Sequence, residues 1–405
     1  MHLKTSFKLL SRLFNGQVLA GFVFKSLPLY LRKKIYLTLI ARSRHTILSI
    51  QARRLLFDEL VNEGGSQHEA GIIGYLPESS SGWILQYLFD DISSASGNKR
   101  FRRFSSLIDI FKAGIACRNS IFYALHYFVV DDLVELGIPV DSIYVFYTHS
   151  RINTGIPASL YRVRAVLPMN STEAAMLLLA GVSPNKIRVF PAGYNPNLFG
   201  SDLLEEDASR DIDIMIACRF SRQVEEAYAP RKNYDQIVQL ANELSARSKT
   251  VAIVGPGWKH AYDLLPRSTL LLEPRHEEYA KIYRRSKIFL TLSRQEGGPV
   301  SWLEAMASGC ITVSSATGFP AELVSGQLDS YTMPLRSTRD EWMDILIRLL
   351  DQYKPLSKNV MNSRSSFLQP ATFKNLASFL TGCLNNQEFE PCLEWPGSSV
   401  THNQT

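Results

Sequence analysis

Two glutamates, Glu296 and Glu304, stand eight positions apart in the stretch TLSRQEGGPVSWLEAMASGCITVSSATGFPAE. Gly297, Gly298 and Pro299 follow the first of them directly. A carboxylate accepts hydrogen bonds from neighbouring hydroxyls, which is what sugar and ribose rings present. Glycines let backbone come close to a ligand with no Cβ atoms in the way. The N-terminus of a helix adds unpaired N–H groups and about half a positive charge, which suits phosphate. Together these residues ask for a nucleotide-sugar. The competing reading is a capped surface helix carrying two solvated glutamates.

The flanking elements decide where those groups can point. Residues 287–292 form a short, nearly continuous apolar run, as in a strand covered on both faces. Residues 293–298 then make a loop at its carboxyl end, with Pro299 as the first helical residue, where a missing N–H costs nothing. The helix PVSWLEAMAS stops at Gly309, and Ile311 opens the next strand. Glu296 therefore falls at the carboxyl edge of a sheet, where open α/β sheets bind ligands. Glu304 falls on the helix behind it.

The rest of the chain repeats this grammar. AGIIGYLPESSSGWILQYLFDDI reads as a buried strand, a polar loop and a helix from about Trp83, the opening of an α/β domain. SIFYAL, SIYVFYTH, VRAVLP and KIRVFPAG supply further short apolar runs. STEAAMLLLAGV is a helix that Ser171 or Thr172 can cap and Gly181 can stop. After the turn-rich, acidic YNPNLFGSDLLEEDASR, a second series begins with IDIMIACR and TVAIVGPG and continues through TLLLEP, KIFLTLS and ITVSSATG. The expected division is a basic, largely helical extension over residues 1–70, a first domain over 71–195 and a linker over 196–210. A second domain spans 211–370, a helix over 371–385 follows, and 386–405 is a polar tail expected to be disordered.

Composition sets the outer limits. With 405 residues, 45% hydrophobic and 20% charged, the chain can bury two cores. Its five cysteines contain no Cys-x-x-Cys pair, which argues for reduced thiols in a cytosolic compartment and against a zinc site. The net charge of +6 is concentrated at one end: residues 1–57 hold 11 Lys or Arg and no acid. That leaves 33 of the 44 basic residues for the rest of the chain, against all 38 acidic ones. Large aliphatic and aromatic residues interleave with the basic ones, which favours an anionic membrane surface over nucleic acid. KRFRRF, residues 99–104, is a second such cluster. The longest apolar run there, residues 13–24, is too short for a membrane span. A cytoplasmic protein, peripheral at the inner membrane face, is the expectation.

EGGPVSWLEAMASGCITVSSATGFPAELV resembles the Glu-x7-Glu signature of the family-4 retaining glycosyltransferases, which have the GT-B fold of two Rossmann-like, doubly wound parallel-sheet domains facing across a cleft. DIMIACRF with RKNYDQIVQLANEL looks like the first donor-domain strand and the following helix of that family, and VAIVGPGW like its glycine turn. VLPMNSTEAAMLLLAGVSPNKIRVFPAGYNPNLF looks like the close of its first domain. The resemblance implies a retaining, metal-independent transfer of a sugar from a nucleotide-diphosphate donor to a glycan or lipid-linked acceptor, as in cell-envelope or exopolysaccharide synthesis. Glu296 would bind donor-sugar hydroxyls, with the backbone of Gly297, Gly298 and Val300 facing sugar and phosphate. Glu304 would hold the ribose, while Arg219 and Lys232 would grip the diphosphate as its charge grows. Gly82 and Trp83 would touch the donor from the first domain, and His149 would face the cleft. No cofactor or metal is implied beyond the nucleotide-sugar co-substrate.

Three departures from the family pattern stand out. Pro299 removes one amide from the phosphate cradle. The insert FSRQVEEAYAP separates Arg219 from Lys232, so Arg222 or Arg231 could share the diphosphate. The first-domain glycine loop is represented only by ESSSGW. Two other readings compete. A metal-dependent GT-A transferase would use an Asp-x-Asp, but Asp211 and Asp213 precede a strand instead of ending one. A non-catalytic membrane-surface protein on the GT-B fold would have no use for an intact Arg219, Lys232, Glu296 and Glu304.

Overall fold

The computed structural model describes residues 24, 26–41, 50–63, 69–78, 84–95, 100–116, 119–148, 155–200, 210–220, 231–323, 325–385 and 388–393. Two wholly parallel sheets organise them. The first contains β1 (Ile72–Tyr75), β2 (Phe101–Phe104), β3 (Ile121–Ala124), β4 (Ile143–Tyr147) and β5 (Ala165–Pro168), in spatial order β2-β1-β3-β4-β5. The second contains β6 (Ile212–Ala217), β7 (Val251–Val254), β8 (Leu270–Leu272), β9 (Ser286–Thr291), β10 (Ile311–Ser315) and β11 (Ser330–Met333), in order β11-β10-β9-β6-β7-β8. Both are doubly wound orders, and together they form the GT-B-like architecture of two Rossmann-type domains. Strands β3, β4 and β7 are buried at every residue, which is why their sequences are apolar without alternation.

The basic N-terminal region is not a detached arm where the structure describes it. Helices Leu29–Ala41 and Ile50–Glu63 cover one face of the first sheet, burying Tyr36, Ile40, Leu56, Phe57 and Leu60 in its core. The Tyr36 hydroxyl donates to the Leu136 carbonyl at 3.0 Å. Arg53 is buried and stands 3.9 Å from the Glu135 carboxylate. The cluster at 99–104 also has a structural use. It contains the edge strand β2, and Arg100 pairs with Glu69 at 3.2 Å while Arg103 pairs with Asp90 at 2.9 Å. Two of the four basic residues in this cluster thus already hold carboxylates within the fold.

The chain crosses between lobes at two adjacent points. Gly193 takes φ +82°, a conformation costly for other residues, and a Cβ there would stand 2.9 Å from the Phe373 amide nitrogen. Tyr194 then bridges Thr372, its N–H donating to the Ala371 carbonyl at 2.9 Å. The helix Phe373–Leu384 returns to the first lobe and packs on Ile84–Ala95. Part of the tail that the sequence marks as disordered also docks: Cys392 pairs with Arg188, and the Val189 N–H donates to its carbonyl at 2.7 Å.

Candidate donor site at the switch point of the second sheet

Neighbouring strands β6 and β9 send their connections to opposite sides, β6 onward to β7 and β9 onward to β10. Their carboxyl ends therefore flank the crevice in which doubly wound sheets bind ligands. The loop after β6 carries Arg219 and the loop after β9 carries Glu296. Lys232 lies at the entry of the helix Tyr234–Ala246. Three residues far apart in sequence are thus delivered to one edge.

Backbone packing fixes the Arg219 loop. The Gly255-Pro256-Gly257 turn after β7 lies against it so closely that a Cβ on Gly255 would stand 2.5 Å from the Cys218 carbonyl oxygen. One on Gly257 would stand 2.2 Å from that of Phe220. The Phe220 N–H donates to the Pro256 carbonyl at 2.9 Å, and Trp258 Nε1 donates to the Cys218 carbonyl at 2.7 Å. The Tyr234 hydroxyl binds the Arg219 carbonyl. With its backbone held this way, the Arg219 side chain is exposed, and no ion pair to it occurs among the described residues.

Glu296 is the centre of the charged cluster. Lys232 Nζ bonds one carboxylate oxygen, and Arg231 Nη1 stands 3.4 Å from the other. Arg231 also donates to the Gln295 carbonyl at 3.2 Å. Burial alone pushes the Glu296 carboxyl up, but the Lys232 and Arg231 charges outweigh it and hold the pKa at about 2. The carboxylate is therefore ionised throughout the neutral range. Arg231, weighed in the sequence only as one of two substitutes, is a full member of the cluster, and Lys232 touches the carboxylate itself. Of the two, Arg222 falls outside the described residues.

The Glu296–Gly298 loop is braced from the next loop. The Glu296 N–H donates to Thr317 Oγ1 at 3.1 Å, and Gly318, at φ +63°, packs on the Gly297 carbonyl. A Cβ on Gly298 would stand 2.2 Å from the Phe319 ring and 2.8 Å from Met169 Cε, so the missing side chain makes room for protein. Pro299 is the N-cap and not the first helical residue; helix Val300–Ala307 begins after it with no side-chain cap. That leaves the helix tip to offer N–H groups outward.

Glu304 projects from this helix into the interior, 4% exposed, accepting a hydrogen bond from the Tyr283 hydroxyl at 3.1 Å. Burial raises its pKa to about 8, opposed by the Tyr283 bond and reinforced by Asp91 of the first lobe. Where the sequence suggests a ribose-binding carboxylate, the free site holds a carboxylic acid at neutral pH. Aromatic rings from both lobes meet nearby: Tyr87 stacks on His276 at 4.8 Å, and Phe199 stands edge-on to His276 and Tyr283.

First-lobe residues close the loop from the opposite side. Asn170, fully buried, donates through Nδ2 to the Gly297 carbonyl. The Ser171 N–H and hydroxyl donate to the two oxygens of Glu322, at 2.5 and 3.2 Å. Asn170 and not Ser171 or Thr172 caps the helix Ser171–Leu179. The signal was present in the order Asn-Ser-Thr-Glu, a capping residue three before a glutamate. Gly82, Trp83 and His149 lie outside the described residues. Asp211 and Asp213 pair with Arg285 and Lys287 at 2.5 and 2.7 Å, which accounts for them as charges leading into β6. Among the described residues, no group of three or more His, Cys, Asp or Glu stands together as a metal site. A cavity of about 380 Å³ lies elsewhere, bounded by Arg188, Phe379, Cys383 and Cys392, and includes none of the candidate residues.

The architecture defines a GT-B-fold chain, with a cluster of cations around one carboxylate at the edge of its second domain. Comparison with known proteins agrees. Residues 226–364 match the family model Glycosyl transferases group 1. Sucrose-phosphate synthase from Thermosynechococcus elongatus superposes with TM-score 0.58 and 17% identity, over 78% of this chain and 98% of that one. Anabaena Alr3699/HepE, solved with UDP-glucose, also gives 0.58, at 13% identity over 78% and 99%. These similarities establish the fold. In sequence, the chain is 29% identical over 161 residues to a protein of Sulfolobus islandicus filamentous virus (isolate Iceland/Hveragerdi) provisionally designated glycosyltransferase 41. That match covers 36% of this chain and 47% of the viral one. The chain thus spans less than half the length of the curated relatives it matches.

Proposed function

We propose that this protein is a retaining glycosyltransferase that moves a sugar from a nucleotide-diphosphate donor to a glycan or lipid-linked acceptor. The observation that carries the reading is the Arg231–Glu296–Lys232 cluster at the switch point, beside the exposed Arg219 and an uncapped helix tip. Three cations against one carboxylate leave a net positive edge. A departing nucleoside diphosphate gains negative charge as the glycosidic bond breaks, and preorganised cations stabilise that charge best in the transition state. Side chains supply the charge that such a leaving group needs, so the proposed reaction runs without a metal. The leaving phosphate oxygen takes the acceptor proton, and the acceptor attacks from the same face of the sugar.

The test is release of nucleoside diphosphate from a panel of UDP-, GDP-, ADP- and dTDP-sugars in EDTA. Turnover of one donor, abolished by Lys232→Ala, supports the reading. A wild-type protein that binds no nucleoside diphosphate by calorimetry would leave only the non-catalytic alternative.

For the acceptor's location, the acid-free N-terminal region supports an anionic membrane surface at the cytoplasmic face, with cell-envelope or exopolysaccharide glycans as the acceptor class. Lys34 and Arg54 are exposed there, as are Tyr30 at 73% and Leu55 at 43%. No helix among the described residues is long and apolar enough to cross a membrane. Flotation with anionic vesicles, lost at high salt, is the expected result; protein left in the pellet fraction with every vesicle type removes the membrane from the proposal.

A further inference from the structure

The peptide joining Gly297 to Gly298 is held from the first lobe, and that has consequences for how the site is assembled. In Asn170, Oδ1 accepts the Glu173 N–H at 2.8 Å, while Nδ2 donates to the Gly297 carbonyl. The assignment of the two atoms follows from chemistry: the Glu173 N–H can only donate, so the amide oxygen must face the helix and the NH2 group must face Gly297. A trans peptide points its C=O and N–H in opposite directions, and no cis bond occurs among the described residues. Fixing the Gly297 carbonyl toward Asn170 therefore aims the Gly298 N–H away from it. Among the described residues no acceptor is bonded to that N–H. Since Pro299 has none, it is the last amide before the helix.

The neighbouring contacts make the arrangement a clasp and not a single bond. Met169 lies against Gly298, and Ser171 holds Glu322 at the turn after Phe319. Three consecutive first-lobe residues thus grip the loop that carries Glu296 and the turn that braces it.

Resting on the donor-site reading above, we propose that Asn170 is a positioning residue for that site. It sets the Gly297–Gly298 peptide so that the Gly298 N–H meets the donor's phosphate, and the second-lobe site is complete only while the first lobe is clasped to it. Asn170 touches no donor atom itself.

Asn170→Asp and Asn170→Ser separate this role from folding. Both keep an oxygen for the Glu173 N–H; the Asp carboxylate has no proton to donate to Gly297, and the Ser hydroxyl, one atom shorter, stops short of it. The measurement is calorimetric affinity for whichever of UDP, GDP, ADP and dTDP the wild type binds most tightly, together with melting temperature and steady-state kinetics. The expected result is an affinity at least about tenfold weaker in both variants, at 1.4 kcal/mol per decade. Melting temperature within a few degrees and an unchanged acceptor KM should accompany it. A purely structural role would lower the melting temperature and leave nucleotide affinity alone, and that pattern overturns the proposal. Wild-type binding with equal affinity in both variants overturns it too, while the donor-site reading stands. Wild-type protein that binds none of the four nucleotides removes that reading and this proposal together.

Discussion

Lys232 and Glu296, 64 positions apart, are bonded to each other at the carboxyl edge of the second sheet, with side chains 16% and 10% exposed. The pair lies where β6 and β9 diverge, so the same carboxylate that would meet a donor sugar also tempers the cations that would meet its phosphates. In a partly desolvated site, that balance sets how strongly the edge attracts anions before any reaction begins.

Glu296→Gln should therefore separate binding from turnover. It removes the negative charge nearest Lys232 and Arg231, so nucleoside diphosphate affinity should rise, by about tenfold. Transfer should fall because the sugar hydroxyls exchange a charged acceptor for a weaker neutral one. Removing one member of a buried ion pair also destabilises, by up to about 3–5 kcal/mol when fully buried and by less at a partly exposed site. Calorimetry, rate assays and a denaturation curve on one preparation decide it; weaker nucleotide binding in Glu296→Gln would contradict the charge argument.

Arg219→Ala tests the opposite situation, a cation with no carboxylate to leave behind. Its side chain is exposed and its backbone is held by the Gly255–Gly257 turn, so stability should change by no more than about 0.5 kcal/mol. A charge-assisted bond to phosphate is worth about 1.5–3 kcal/mol, so transfer should slow by about tenfold or more. Full activity in the variant would take Arg219 out of the site and leave Arg231 as the diphosphate ligand.

How much of this could be read from the chain follows from burial and from sequence distance. Strands β6, β7, β9 and β10 are covered on both faces, and IDIMIA, VAIV and SKIFLT are apolar almost throughout as a result. The strands missed, FRRF and SYTM, sit at sheet edges, half exposed, where no apolar run is required. Glu296 and Lys232 were legible because each follows a recognisable strand or opens a helix. The bonds from Tyr283 to Glu304 and from Asn170 to Gly297 were not, being made across 21 and 127 residues by tertiary packing alone. The charge state of Glu304 was hidden for the same reason: a helix position does not announce what buries it.

Glu304 should make donor binding depend on pH. In the free protein the carboxyl is protonated below about 8, whereas ribose hydroxyls donate best to a carboxylate. Binding then releases a proton, and affinity should tighten as pH rises from 6 to about 8 and level off above. Glu304→Gln should flatten that profile. Stability runs the other way for the wild type. The folded carboxyl holds its proton through the interval from the ordinary carboxylate range up to about 8, so the folded state loses stability as pH rises across it. The Gln variant, with nothing to ionise, should gain on the wild type across the same interval. Calorimetry in buffers of different ionisation enthalpy would count the proton; pH-independent nucleotide affinity would show that Glu304 stays neutral in the complex or takes no part in it.

Gly298 offers a test in which packing and ligand approach give opposite outcomes. Gly298→Ala would drive a methyl into the Phe319 ring and Met169, and overpacking of this kind costs about 1–3 kcal/mol. Phe319→Ala alone should cost about 3–5 kcal/mol as a cavity in the core. If the glycine exists to admit the ring, the double variant should be more stable than the sum of the two losses implies, by about 1 kcal/mol or more, because the added methyl then enters vacated space. Its nucleotide affinity should stay near that of Phe319→Ala. If the glycine exists to admit the donor, the two losses add in stability and affinity falls further with the second substitution. A denaturant-based double-mutant cycle with calorimetry on the same four proteins distinguishes the two, and the 2.2 Å that a Cβ on Gly298 would leave to the Phe319 ring favours the first.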